Sequence, residues 1–174
     1  MVRIITKMCM FSYFLPNHRK TQANDSPLVA HPTPIKWEDT TPFVVPIKSA
    51  EVIKVYDGDT ITIATKLPFP NSPLYRFPVR LNGIDCPEIK GSCEEEKALA
   101  REVRDKLSEM LLHKQVILAN VKTEKYGRIL ADVFLDQLHI NKWLVDNRYA
   151  VEYDGGTKKI PTSWLKYHLT GEDN

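Results

Sequence analysis

The chain has 174 residues, 43% of them hydrophobic and 26% charged, with a formal net charge of +2. That suits one soluble domain of ordinary size with a real core, and it excludes a polybasic coat for nucleic acid or membrane. Residues 1–48 hold six Lys/Arg against three acids and residues 49–174 hold eighteen against nineteen, so any phosphate binding must come from a local arrangement.

The first 48 residues read as an appendage. Met8 to Leu15 is an apolar run behind Arg3 and Lys7, shorter than the roughly 20 residues of a bilayer span and without a small-residue cleavage site. A signal or anchor is the minor alternative there, and the compartment is left open. Pro16, Pro27, Pro32, Pro34, Pro42 and Pro46 punctuate a polar stretch without periodicity, which predicts a flexible linker. The domain is expected over 49–170, with a short tail at 171–174.

Regular structure begins near Ala50. Val52, Ile53 and Val55 precede Asp57-Gly58, and Thr60-Ile61-Thr62-Ile63 alternates polar with apolar, which predicts two strands joined by an Asp-Gly turn. Pro68, Pro70 and Pro73 make residues 67–74 a loop. Tyr75 to Leu81 reads as a third strand, with Phe77, Val79 and Leu81 on one side and Arg76, Pro78 and Arg80 on the other.

Arg80-Leu81-Asn82-Gly83-Ile84-Asp85-Cys86-Pro87-Glu88 then leaves the strand for a stiff turn. Gly83 permits angles closed to other residues, and Pro87 fixes its own φ while pushing Cys86 from helical geometry.

Ser92 and Glu95 suggest a capping box, and Glu94, Glu95 and Glu96 suit the positive end of a helix dipole rather than a metal cluster. Leu99, Val103, Leu107, Met110 and Leu111 recur at helical spacing, so this helix packs on the core. Residues 115–121 and 129–135 read as strands, 139–147 and 162–169 as short helices, and Gly155-Gly156 as a mobile connection. His113 and His139 read as surface or helix-end residues, and no His/Cys spacing suggests zinc. Cys9, Cys86 and Cys93 form no disulfide framework; Cys86 and Cys93 read as free thiols, with a bridge inside one loop as the alternative.

The chemistry lies at the strand ends. Asp59 and Asp85 offer the hard oxygens that calcium and magnesium take, outside any EF-hand loop. Asp57 reads as a turn-former, or as a carboxylate that orients water on the ion. Arg80 and Arg128 can meet the spread charge of a phosphoryl transition state with bidentate forks. Glu88 is the candidate base for an attacking water.

Three stretches together, Asp57-Gly58-Asp59-Thr60, Val79-Arg80-Leu81 with Ile84 to Glu88, and Lys125-Tyr126-Gly127-Arg128 with Leu130-Ala131, resemble the signature of the staphylococcal nuclease (thermonuclease) family over residues 50–169. The resemblance implies an α+β, mainly β fold: a five-stranded OB-type barrel with three helices. It implies calcium-dependent hydrolysis of DNA and RNA that leaves 3'-phosphate ends. No stable protein partner is implied, and a monomer is the expectation. By position, Asp59 and Asp85 match carboxylate ligands of calcium and Cys86 a backbone-carbonyl ligand. Arg80, Glu88 and Arg128 match the phosphate clamp, the candidate base and the transition-state arginine. Lys125, Tyr126 and Tyr153 match positions lining the nucleotide pocket. The segment after Glu88 and the last helix are shorter than in the best-known members. The competing class is a barrel that binds nucleic acid or protein without cutting; a third, an OB single-strand binder, predicts aromatics over a basic groove.

Overall fold

A computed structural model describes residues 33–124 and 126–172. Cys9, the run Met8 to Leu15, most of the linker and Lys125 therefore lie outside the described residues. Within residues 33–41, Trp37–Asp39 forms a single 3-10 turn.

From Pro42 onward the chain forms one unit. Strands β1 (Ser49–Val55), β2 (Thr60–Lys66) and β3 (Leu74–Leu81) make an antiparallel meander. Two further strands, β5 (Gln115–Thr123) and β6 (Ile129–Leu135), follow β4 (Ile84–Asp85) and the long helix α1 (Glu94–Leu111). Strand β1 also pairs with β5 and β5 with β6, and β6 returns to lie parallel with β3, Val79 opposite Ile129. That last pairing closes a five-stranded mixed barrel, the OB-type architecture expected, with three helices around it.

The period-two pattern explains what fills it. Val52, Ile61, Ile63, Val79, Leu81, Val116, Ala131 and Val133 are all fully buried, while Arg76 and Pro78 on the opposite face of β3 are exposed. Phe77 is only half-buried, and Ile53 faces outward. Helix α1 adds Leu99, Ala100, Val103, Leu107 and Leu111 as one buried stripe, with Met110 packed at its margin.

The start of α1 differs from the capping box expected at Ser92 and Glu95. Cys93 is the N-cap and its thiol accepts from Glu96 N at 3.5 Å, while the Glu96 carboxylate turns back to Ser92 N at 2.9 Å. A thiol is a weak acceptor, and the carboxylate one residue along provides the stronger bond. Glu94, Glu95 and Glu96 do occupy the first turn.

The Asp57-Gly58 connection is also wider than a two-residue turn. Tyr56 N donates to Thr60 O at 2.9 Å, and Gly58 does not adopt a left-handed backbone. Space is what Gly58 supplies, because a Cβ there would lie 2.9 Å from both Cys86 Cβ and Val103 Cγ1.

Three two-residue strands were not anticipated: β4, β7 (Leu138–His139) and β8 (Val151–Glu152). Strand β8 pairs with β4, Asp85 opposite Val151. Helices α2 (Ile140–Asp146) and α3 (Trp164–Thr170) fall where expected. His139 stands at the N-cap position of α2 without a side-chain capping bond, half-buried and stacked on Phe134. Among the described residues no helix is long and apolar enough to cross a membrane.

Candidate functional site

The site assembles where β2 leaves its loop and β3 ends. Thr60 pairs with Arg80 across β2 and β3, and Leu81 N donates to Asp59 O at 2.8 Å, so Asp59 is pinned beside the arginine. Gly83, at φ +79°, makes the tight turn that a Cβ would resist. The pairing with β8 then fixes the backbone of Asp85.

Arg80 ties the two acids together. One guanidinium nitrogen donates to Asp59 Oδ2, and the other donates to Asp85 Oδ1 at 3.1 Å and to Ile84 O at 3.2 Å. All three side chains are largely shielded, 13% exposed for Arg80, 9% for Asp59 and 3% for Asp85. Thr60 Oγ1 donates to Asp59 Oδ1 at 2.8 Å, and Asp59 N donates to Asp57 Oδ1 at 3.2 Å.

The electrostatics follow from burial. Desolvation raises the Asp59 pKa to about 6, against the opposing pull of Arg80 and with help from the charge of Asp57. Burial would lower the pKa of Arg80, but Asp59 and then Asp85 hold it above its usual value. Burial likewise pushes the Cys86 thiol well up, reinforced by Asp59, Asp57 and Asp85.

Glu88 reaches this cluster through Lys158. The lysine Nζ lies 2.9 Å from Asp85 Oδ1 and 3.3 Å from Glu88 Oε1, with the Glu88 side chain 59% exposed. Partial burial alone would lower the pKa of Lys158; Asp85 and then Glu88 raise it instead. Arg128 is not drawn to the aspartates. Its Nε donates to Glu124 Oε2 at 2.7 Å, although Ile129 beside it pairs with Val79 on the strand that carries Arg80.

A cavity of about 320 Å³ opens next to Arg80, lined also by Gly83, Glu124, Leu130 and Tyr153. Tyr153 N donates to Gly83 O at 2.9 Å and its hydroxyl to Gly156 O at 3.1 Å, so the chain leaving β8 brings this residue to the cavity lining. Tyr126 is exposed in the turn before Arg128. Cys86 is buried and Cys93 exposed, both as free thiols.

Three residues escaped the sequence reading. Lys158 follows the Gly155-Gly156 connection with no local signal of a partner seventy positions earlier. Glu124 holds Arg128 from the far end of the same turn. Asn141 sits 3% exposed on the inner face of α2, where a polar residue among apolar neighbours was the available clue.

The donor set fits a hard divalent cation. Asp59 and Asp85 are held by one guanidinium, and their oxygens are the ligand type that calcium and magnesium take. Among the described residues no group of three or more His, Cys, Asp or Glu could hold a metal, so the remaining coordination would fall to backbone oxygen and water.

Residues 78–163 match the family described as staphylococcal nuclease homologue. That match includes Arg80, Asp85, Glu88, Arg128 and Lys158, and begins after Asp57 and Asp59. The chain is also 32% identical, over 105 residues, to an uncharacterized endonuclease of Haemophilus influenzae. The aligned part is 60% of this chain and 52% of that protein, so the chain spans about half the length of that relative.

Proposed function

Because this chain belongs to the staphylococcal nuclease family, whose homologue domain it carries at residues 78–163, we propose that it is a calcium-dependent endonuclease. It hydrolyses phosphodiester bonds of DNA and RNA with little sequence specificity, leaves 3'-phosphate ends and acts as a monomer. The catalytic domain is residues 49–170, preceded by the segment 1–48.

The observation that carries this reading is the Arg80 guanidinium shared by Asp59 and Asp85, on a residue that also lines a cavity. Asp59, Asp85 and the backbone carbonyl of Cys86 would hold the ion, with Asp57 orienting water near it. When bound, calcium supplies positive charge against the phosphate and an acidified water. Arg80, on the wall of the cavity, holds the scissile phosphate in the fork geometry that guanidinium groups offer. Glu88, exposed and adjacent, orients the attacking water and takes its proton. Arg128 leaves Glu124 to meet the charge that develops on the phosphate and the leaving oxygen. Lys125, Tyr126 and Tyr153 border the nucleotide, with the Tyr153 ring offered to a base as a stacking surface.

The test is incubation of plasmid and denatured DNA with calcium or chelator, alongside Arg80→Ala and Glu88→Ala. Wild-type cutting that stops in chelator and falls in both variants is the expected result. Cutting that survives all three removes the mechanism, whereas a folded wild type that binds without cutting marks a binding module.

A further inference from the structure

Asp85 Oδ1 is shared by two cations, Arg80 at 3.1 Å and Lys158 at 2.9 Å. A divalent ion that takes this oxygen would bring a third positive centre to it, so one of the two must yield. Tethering decides which. Arg80 is anchored in β3, is 13% exposed, and also holds Asp59 and Ile84 O. Lys158 is 38% exposed on the connection between β8 and α3. Among the described residues no backbone–backbone hydrogen bond ties residues 154–162. Two glycines precede it at 155 and 156, and its four-carbon stem can swing without moving the barrel.

We propose that Lys158 is a tethered competitor for the metal: its ammonium occupies Asp85 and Glu88 until a divalent cation displaces it, and so sets the affinity of the site. The inference rests on the calcium reading above and adds to it a residue that opposes loading. Displacement has a second consequence, because the same event that fills the site releases Glu88 from its ion pair. Metal loading and liberation of the candidate base are then one event. The neighbouring Lys159 makes no ion pair with Asp85 or Glu88; it lines a cavity of about 530 Å³ that adjoins the one beside Arg80 and shares Gly83, Tyr153 and Asp154 with it.

Calorimetric titration of calcium chloride into the full chain, without nucleic acid, tests this on wild type, Lys158→Gln, Lys158→Arg and Lys159→Gln, with circular dichroism confirming the fold. The lysine is 38% exposed in both of its ion pairs, so Lys158→Gln should tighten calcium binding about five- to tenfold. Lys158→Arg and Lys159→Gln should stay within about twofold of wild type. Unchanged or weaker binding in Lys158→Gln overturns the proposal, as does an equal gain in Lys159→Gln, which would signal a general charge effect. Measurable calcium binding that ignores Lys158 removes only the lysine's role. Absence of calcium binding in every folded variant removes the metal reading as well.

Discussion

Gly58 and Cys86 are packed so closely that a methyl group on Gly58 would stand 2.9 Å from the Cys86 Cβ. The loop that presents Asp59 is thereby pressed against the turn that presents Asp85. Val103 on α1 backs the same contact at 2.9 Å, and both neighbours are buried, so neither has room to retreat. Gly58→Ala is predicted to cost about 1–3 kcal/mol through overpacking. A lower urea midpoint at constant slope would measure it, and calcium binding should weaken as the two aspartates are pushed apart.

The same burial makes Cys86 chemically quiet. Desolvation first, then Asp59, Asp57 and Asp85, push its thiol pKa well up, so little thiolate forms and no reagent reaches it. Cys93 is exposed at the mouth of α1. Peptide mass spectrometry after iodoacetamide treatment of the native protein should find Cys93 labelled and Cys86 labelled only in denaturant.

Asn141 is the hidden strut of the arginine's turn. Its Oδ1 accepts from Val133 N at 2.9 Å, and its Nδ2 donates to Asn82 O at 2.8 Å and Ala131 O at 3.2 Å. Asn141→Leu keeps the forked side-chain shape but leaves buried backbone groups unpaired, a loss of about 2–3 kcal/mol. Thermal unfolding checks the stability loss. A matching fall in cutting is expected, because Asn82 lies two residues beyond Arg80.

These relationships separate what was legible in the chain from what was not. Ile61 with Ile63, Val79 with Leu81, and the α1 stripe from Leu99 to Leu111 announce themselves because period and burial agree within one element. The strand pair Ile84–Asp85 and Val151–Glu152 exists only through partners remote in sequence, and two residues carry no period. Asp59, Arg80 and Asp85 stood out as charges at strand ends. Lys158 did not, since a lysine after two glycines is indistinguishable from a solvated one until the fold places it on Asp85. The arginine at 128 was legible as a charge but not in its pairing, because Glu124 competes for it from within the same turn.

Arg80→Gln should expose how much of the site's stability depends on charge pairing. Removing the guanidinium leaves Asp59 and Asp85 buried without that partner, and breaking such a pair costs about 3–5 kcal/mol. Calcium can then supply part of the lost neutralisation. A ligand at a hundred times its dissociation constant adds about 2.7 kcal/mol, so the melting temperature should rise more with calcium in Arg80→Gln than in wild type. Equal shifts in the two proteins would mean that arginine and metal do not act on the same carboxylates. On the proposed function, cutting should stay lost in the variant at any calcium concentration, since Arg80 is there the proposed phosphate clamp.

Arg128 and Glu124 give the cleanest separation of chemistry from stability. Their bond at 2.7 Å joins side chains 33% and 21% exposed, and partly exposed pairs contribute about 0.2–1 kcal/mol. Arg128→Gln should therefore unfold within about 1 kcal/mol of wild type. Its kcat on denatured DNA should nonetheless fall about 100- to 1000-fold, the usual cost of removing one donor aimed at transition-state charge. KM should change little, because the arginine spends the ground state on Glu124. Glu124→Gln supplies the opposite case: it keeps the side-chain shape, removes the competing charge and frees Arg128 for the phosphate. Its kcat should equal or exceed that of wild type. A fall as deep as that of Arg128→Gln would instead make Glu124 the group that aims the guanidinium.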